Sequence, residues 1–282
     1  MSHTSITTDI VVIYHGSCRD GFSAAYAAWK KFGDTATYVP RKNQEPVPEG
    51  LAGKTVYILD YSYPKNVLDM LEAQTARTIV IDHHQSAQEA VAAFPQNIFD
   101  LDHSGAVLSW RYFHPDAPLP RLFAYIEDSD LWRHALPHGS AIGAVIAEYD
   151  MTFADWDWLV RDMEDDKTFA TLIERGAILS DAKERYVREL AALKERVRFD
   201  AYEVFAVNCA RPYRSDVGNL LATEHPPFGI VWYHYGGMFH FSLRSVGDFD
   251  VAALAEKYGG GGHKNAASIR ARTLDKLPFT FL

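Results

Sequence analysis

The sequence predicts two α/β domains: a first built on a mostly parallel sheet flanked by helices, joined by further helices to a smaller second one. Three observations lead there. Between Asp9 and Asp130, short β-branched apolar runs alternate with helical patterns, which is how a parallel sheet with helices on both faces reads. A proline-free stretch rich in Ala, Leu, Glu, Arg and Lys follows, over Thr171–Arg198. Beyond Asp200, strand and helix patterns resume together with a hairpin signal. The expected divisions are 1–150, 151–200 and 201–282.

Asp9–Tyr14 reads as a buried strand. It ends at the polar loop His15-Gly16-Ser17-Cys18-Arg19-Asp20-Gly21, after which Phe22–Trp29 begins a helix of small residues able to lie close to a sheet. The loop therefore sits at a strand-to-helix junction, where helix amides favour anions. Tyr38-Val39 is a weak second strand, and Arg41–Gly50, with two prolines, is a loop. Thr55–Leu59 is a third strand and stops at Asp60. Pro64 suits the first turn of a helix over Lys65–Ala76. Thr78–Ile81 is a fourth strand running into Asp82-His83-His84, and Gln96–Phe99 a fifth. Helices follow over Gly105–Phe113 and Leu119–Ile126, the second ending at Glu127-Asp128-Ser129-Asp130.

Met151–Val197 reads as wholly helical, with Gly176 as a candidate break. Next come a strand over Glu203–Val207, a helix over Ser215–Thr223, and a hairpin of Phe228–Tyr233 with Met238–Arg244. A helix over Asp250–Tyr258, the run Gly259–His263 and a last strand near Ala266–Arg270 complete the pattern.

Composition narrows the class. An apolar content of 48% with 23% charged residues is that of a soluble globular protein. A net charge of −9 disfavours long nucleic acid, so no long duplex DNA is expected as a partner. The charge is uneven: residues 201–282 carry 8 Lys and Arg against 7 Asp and Glu, which leaves the acidity in front. That suits a cation site in the first domain, although surface solubility explains the same numbers. Two distant cysteines make no disulfide framework and fit a reducing compartment. Residues 1–8 are polar, and no run approaches the roughly 18 apolar residues a membrane span needs. A cytoplasmic protein with no membrane partner is expected.

The regularity that matters is polar. Separate strands end in an acid, or in an acid with histidine, and strand ends of one parallel sheet converge in one crevice. His15, Asp20, Asp60, His83 and Asp128 are thus candidate metal ligands. Oxygen and imidazole donors together suit Mn²⁺, Fe²⁺ or Co²⁺ better than Ca²⁺ or a closed zinc site. Two ions about 3.5–4 Å apart can share a carboxylate, activate a water and clamp a phosphoryl oxygen. The competing reading makes the aspartates helix or turn caps and leaves the histidines as exposed polar residues.

Asp82-His83-His84, the acidic loops at 15–21, 60 and 128, and Gly259–His263 together resemble the DHH-family phosphoesterases with a C-terminal DHHA1 domain, over nearly the whole chain. The resemblance implies roles. His15 would bind one ion, Asp20 the other, and Asp60 both. His83 would be a ligand. His84 would contact the scissile phosphate or act as an acid beside it, with Asp82 orienting its neighbours or contacting the site. Asp128 would complete the second metal site; spacing does not choose between it and Asp130. Mn²⁺ is the leading cofactor, as one or two ions, with Mg²⁺, Co²⁺, Fe²⁺ or Zn²⁺ as alternatives.

One position departs from the family's D-x-D-G loop: Cys18 stands where its first aspartate would be. A thiolate there can ligate and favours softer ions such as Zn²⁺ or Fe²⁺. A small buried cysteine that binds nothing would leave a weak or absent first ion. Both readings stay open.

Substrate contacts are expected at Ser104, whose helix amides can hold a phosphate or which simply caps the helix, and in the second domain. There the backbone of Gly260, Gly261 and Gly262 can approach an anion, His263 and Asn265 offer polar groups, and Arg244 can grip a phosphate bidentately. Tyr233, His234, Tyr235, Phe239 and His240 offer either base stacking or ordinary cross-strand packing, and Trp132 is similarly open. The expected activity is metal-dependent hydrolysis of short single-stranded oligonucleotides, one nucleotide at a time, or of small nucleotides. Bisphosphorylated nucleotides and cyclic dinucleotides come second. A nucleotide sensor without turnover is the non-enzymatic alternative, and a homodimer is left open.

Overall fold

The computed structural model describes residues 6–16, 18–42 and 45–282. Ser17 of the expected first loop lies outside the described residues. The chain divides into two compact units, Met1–Ser180 and Asp181–Leu282.

The first unit holds β1 (Ile10–His15), α1 (Arg19–Phe32), β2 (Ala36–Arg41), β3 (Thr55–Leu59), α2 (Lys65–Gln74), β4 (Arg77–Asp82), α3 (Gln88–Ala92) and β5 (Asn97–Phe99). Helices α4 (Gly105–Phe113), α5 (Arg121–Asp130), α6 (Gly139–Ala147) and α7 (Phe153–Glu164) follow, and α8 (Asp166–Ala191) carries the unit boundary within it. The strands form one sheet in the order β2-β1-β3-β4-β5, all parallel. Alternate residues serve opposite faces. Val11, Ile13, Val56, Ile58 and Val80 pack with Leu68 and Leu71 of α2 and with Phe94. Val12, Tyr14, Tyr57, Leu59, Ile79 and Ile81 pack with Tyr26 of α1, Val107 of α4 and Phe123 of α5. Burial on both faces is why these strands read as unbroken apolar runs.

From β1 the chain crosses to β2 on one side and returns to β3 on the other. The strand order therefore reverses between β1 and β3, where ligands bind at the carboxyl ends of such sheets. His15 ends β1, Asp60 follows β3, and Asp82 ends β4.

The second unit contains β6 (Glu195–Phe199), β7 (Tyr202–Asn208), α9 (Arg214–Glu224), β8 (Phe228–Tyr235), β9 (Met238–Ser245), α10 (Val251–Glu256), β10 (Gly261–His263), β11 (Ala266–Ala271) and β12 (Phe279–Phe281). Its sheet runs β10-β11-β9-β8-β7-β6-β12. All pairs are antiparallel except β7 with β8, which α9 connects. Val197, Phe228, Phe241 and Ile269 lie in one buried cluster, and Val217, Leu221 and Val231 in another.

Three expectations change. Helix α5 runs on to Asp130, so its acids occupy a helical last turn, not a loop after it. The helical reading of 151–197 fails at its end: α8 stops at Ala191, and Glu195–Phe199 is a strand. Its buried Val197 and Phe199 alternate with exposed Arg196 and Arg198, a period-two pattern hidden behind helix-forming residues. Both arginines pair with Glu203 across the turn, at 2.9 and 2.8 Å. Gly176 does not break α8. A Cβ there would stand 2.2 Å from the Ala141 carbonyl oxygen, so the glycine lets α8 cross closely over α6. Among the described residues no helix is long and apolar enough to cross a membrane.

Candidate metal centre

Asp60 is the hinge of the site. It leaves β3 in a left-handed conformation, with φ of 53°, and its N–H donates to the Ile81 carbonyl at 2.9 Å. Such a backbone is costly for a non-glycine residue and persists where its surroundings fix it. The turn divides the buried carboxylate between two sets of donors. Oδ2 lies 3.4 Å from His15 Nδ1 and 3.3 Å from Cys18 Sγ. Oδ1 lies 3.1 Å from His83 Nε2 yet receives no well-aligned hydrogen bond.

Around His83 a second set gathers. Its Nε2 is 3.6 Å from Asp20 Oδ2 and 3.5 Å from Asp130 Oδ2. Asp20 is fixed from behind: the Gly105 and Ala106 N–H groups, at the start of α4, donate to its two oxygens at 2.8 and 3.1 Å. The positive end of a helix thus holds a buried carboxylate. Backbone has to pass very close here. A Cβ on Gly105 would sit 2.5 Å from the Asp60 Cβ, and one on Gly21 would sit 2.3 Å from the His15 carbonyl oxygen.

Asp82 serves His84. Its Oδ1 accepts the backbone N–H groups of His83 and His84 at 2.8 and 3.3 Å and lies 2.7 Å from His84 Nδ1. Burial pulls the His84 pKa down, but the Asp82 contact and the Asp60 charge outweigh it and push it up to about 9. Burial also disfavours charge on Asp60, yet the neighbouring His15, His83 and His84 hold its carboxyl well below the usual range. Asp20 and Asp130 move the other way, raised first by burial and then by the charge on Asp60. Burial, Asp60 and Asp20 likewise raise the Cys18 thiol, which is a thiol in the ion-free protein. Crowded carboxylates of this kind, Asp20 and Asp60 buried and Asp130 exposed beside them, are what a divalent cation relieves.

The donors fit such an ion. His15, Cys18 and Asp60 form one compact group, Asp20, His83 and Asp130 another, and Asp60, His83 and His84 a third. Ligand atoms about 2.1 Å from an octahedral ion lie about 3 Å apart, close to the separations seen. Asp60 Oδ1, buried and without a hydrogen bond, is the atom such an ion would satisfy.

Several expected residues take other work. Asp128 is not with the cluster: its oxygens accept the N–H groups of Ala135 and Leu136 at 2.9 and 3.3 Å, and Asp130 stands beside His83 instead. Two residues along a helix turn a side chain by about 200°, so the two acids of α5 face different surroundings. Ser104 is fully buried as the cap of α4, and the amides that would have met a phosphate already hold Asp20. Asp82 is fully buried too and reaches the site only through the histidines. Sequence reasoning missed Glu127. Its carboxylate accepts the Ser104 N–H at 2.9 Å and pairs with His103 and Arg133, both at 3.1 Å, tying α5 to the start of α4. Nothing in the local sequence set it apart from Asp128 beside it.

In the second unit, β11 lies between β9 and β10, and its Ala266 pairs with Arg244 on one side and His263 on the other. Directly opposed residues share a face, so Arg244 and His263 stand in one row, about 10 Å apart across two strand spacings. Burial and the nearby Arg214 lower the Arg244 pKa to about 10, and its guanidinium donates to Ser215 Oγ at 2.9 Å. Gly261 and Gly262 belong to β10 itself. A Cβ on Gly260 or Gly262 would meet backbone oxygens of β11 at 2.3 and 2.4 Å, so a tight hairpin accounts for those two. Asn265 is engaged within the fold, its amide donating to Ser245 Oγ and to the Gly247 carbonyl at 2.9 and 3.1 Å. Tyr233 and His240 stack on each other across β8 and β9, with centroids 4.9 Å apart.

The comparisons bear on this geometry. No family model matches the chain. An uncharacterized protein of Acanthamoeba polyphaga mimivirus, R106, is 30% identical over 92% of this chain and 66% of its own length. The oligoribonuclease NrnB of Bacillus subtilis is 30% identical over 41% of this chain and 25% of its own. The chain thus spans only part of each relative. Among solved structures, the DHH domain of a member of a ribosomal-protein family superposes with a TM-score of 0.54. It is 14% identical and covers 98% of this chain and 83% of that one. The chain shares the fold of that DHH domain. Asp82-His83-His84 stands at the end of β4 in the five-stranded parallel sheet.

Proposed function

We propose that this chain is a DHH-family, divalent-metal-dependent phosphodiesterase that hydrolyses short single-stranded oligonucleotides or small nucleotides, releasing one nucleotide at a time from an end. The observation that carries the reading is the Asp60 carboxylate, shared between two donor groups with one buried oxygen left for a cation. The name of the Bacillus subtilis relative, an oligoribonuclease, supports the substrate class.

In this reading His15 and Asp60 would hold one ion, and Asp20, Asp60, His83 and Asp130 would hold a second. Mn²⁺ is the leading candidate for the second, and the first is open to Co²⁺, Fe²⁺ or Zn²⁺ as well. A divalent ion, when bound, supplies positive charge for a phosphoryl oxygen and acidifies a water. The chain's own residues do the rest. His84, held by Asp82 on one ring nitrogen, would contact the scissile phosphate or act as an acid beside it. Asp82 fixes the ring and stabilises its charge.

Residues 1–150 are the DHH-type catalytic domain in this proposal, and 201–282 a DHHA1-type substrate domain, in which Arg244 and His263 bind a further phosphate of the substrate. A reducing, cytoplasmic setting agrees with two free cysteines. The test is hydrolysis of bis(p-nitrophenyl) phosphate and of a labelled RNA trinucleotide by the EDTA-treated protein with and without Mn²⁺. Turnover that appears with Mn²⁺ and vanishes with EDTA is expected. Nucleotide binding with no turnover in any divalent metal would replace this reading with that of a sensor.

A further inference from the structure

We propose that Cys18 binds the ion at the His15–Asp60 side as its thiolate, and that this one sulfur makes that position prefer borderline ions such as Zn²⁺, Fe²⁺ or Co²⁺ over Mg²⁺ and Mn²⁺. The proposal rests on the metal-dependent reading above and concerns which ion fills one side of it.

Three separations define the site. Cys18 Sγ is 3.2 Å from His15 Nδ1 and 3.3 Å from Asp60 Oδ2, and His15 Nδ1 is 3.4 Å from Asp60 Oδ2. The donor atoms form a nearly equilateral triangle of sulfur, nitrogen and oxygen. Donors about 2.0–2.3 Å from a common ion span edges of this size. A cysteine kept only for packing would turn its sulfur to carbon. This one sits between an imidazole and a carboxylate.

The second observation is independent of the cysteine. Asp60 Oδ1 is buried, receives no hydrogen bond, and belongs to the same carboxylate whose other oxygen faces Cys18. Desolvating a carboxylate oxygen that receives no aligned hydrogen bond is expensive, and a cation beside it removes the cost.

Cys18 is also set in place from its own backbone. It is the N-cap of α1, and the Gly21 N–H donates to Sγ at 3.3 Å. That leaves the sulfur stationary before any ion arrives. Amide donors at a helix start also favour negative charge on the capping atom. On binding, the thiol proton departs to solvent and a sulfur–metal bond takes its place. Soft donors select Zn²⁺, Fe²⁺ and Co²⁺ from a mixture, whereas carboxylate and water suit Mg²⁺ and Mn²⁺. The two sides of the cluster differ accordingly. Asp20, His83 and Asp130 present only oxygen and nitrogen, so the chain is built to hold two different metals.

The deciding experiment is the optical spectrum of the EDTA-treated, dialysed full chain titrated with Co²⁺ under reducing conditions. A near-ultraviolet sulfur-to-cobalt charge-transfer band is expected in the wild type and in Cys209→Ser. It should be absent in Cys18→Ser and Cys18→Asp. In direct competition, Cys18→Asp should shift the Zn²⁺-over-Mn²⁺ preference toward Mn²⁺ by at least about tenfold, the smaller end of what even outer-shell changes cost. Visible ligand-field bands without the charge-transfer band in the wild type would overturn the proposal. So would a band that persists in Cys18→Ser or disappears in Cys209→Ser. The wild-type spectrum decides even if a Cys18 variant fails to fold. Because the spectrum needs no turnover, a charge-transfer band in a protein that hydrolyses nothing would sink the proposed function and leave this inference standing. Hydrolysis without the band would do the reverse.

Discussion

Asp82 Oδ1 lies 2.7 Å from His84 Nδ1 while accepting the backbone N–H of His83 at 2.8 Å. One buried oxygen thus orients the two histidines of the triplet, one through its ring and the other through its main chain. Removing it should damage both. Asp82→Asn keeps the shape and loses the charge. We expect turnover to fall about 10–100-fold, the usual cost of losing the partner of a functional histidine. Steady-state kinetics on the RNA trinucleotide measures it, and unaltered turnover would contradict the assignment.

The same contact predicts a pH dependence of the ion-free protein. His84 titrates near 9 when folded, against an ordinary value of 6.5. A raised folded pKa gives stability that is complete below about pH 6.5 and is lost as pH rises through about 9. His83 is shifted in the same direction, its burial outweighed by Asp60 and Asp20. Urea unfolding in EDTA should therefore show stability falling between pH 6.5 and 9 by on the order of 2 kcal/mol. His84→Gln should flatten most of that slope.

Asp128 and Asp130 should separate cleanly. Asp128→Asn weakens the acceptor for the Ala135 and Leu136 amides and should cost about 1–3 kcal/mol in unfolding free energy with little change in Mn²⁺ affinity. Asp130→Asn should do the opposite, lowering Mn²⁺ affinity at least about tenfold and leaving unfolding of the EDTA-treated protein near the wild-type value. Calorimetry and denaturant unfolding on both variants check it. Reversed outcomes would return Asp128 to the metal site.

Gly105→Ala tests how tightly the site is backed. The added methyl would stand 2.5 Å from Asp60 Cβ and 2.9 Å from its Cα, so the α4 start or Asp60 must move. Overpacking of this kind costs about 1–3 kcal/mol. Lost metal affinity should accompany the lost stability, because the same amide holds Asp20.

Saturating metal should stabilise the fold. At 100 times its dissociation constant, an ion bound only by the native state adds about 2.7 kcal/mol. Asp60→Ala should abolish that increment in thermal unfolding, and turnover should drop by about 10²–10³-fold or more. A metal-dependent rise in melting temperature that survives Asp60→Ala would place the ion elsewhere.

What was legible in the sequence follows from physics. Strands β1, β3 and β4 were readable because both faces are buried, which forces runs such as Val11–Ile13 and Val56–Leu59 to be apolar throughout. Asp60 and His83 were readable because those runs stop abruptly at polar side chains. Strand β6 was not, since Glu195-Arg196-Val197-Arg198 continues a helix-like composition and becomes a strand only by pairing with β7 and β12. Asp128 and Asp130 looked equivalent because both are acids beside the same helix end. Only the loop after α5, whose amides turn back onto Asp128, tells them apart. The contacts that join Glu127 to Ser104, and Asp20 to Gly105 and Ala106, link segments far apart in sequence, and no local pattern announces those contacts.

The close backing of Asp60 has an evolutionary consequence. Gly21 and Gly105 each leave room against it, and Gly105 also donates to Asp20. Positions 20, 21, 60 and 105 are therefore epistatic: a side chain tolerated at one depends on what stands at the other three. Grafting a ligand set from a relative one residue at a time would pass through unfit intermediates. These four would have to be inherited, or exchanged, as a block.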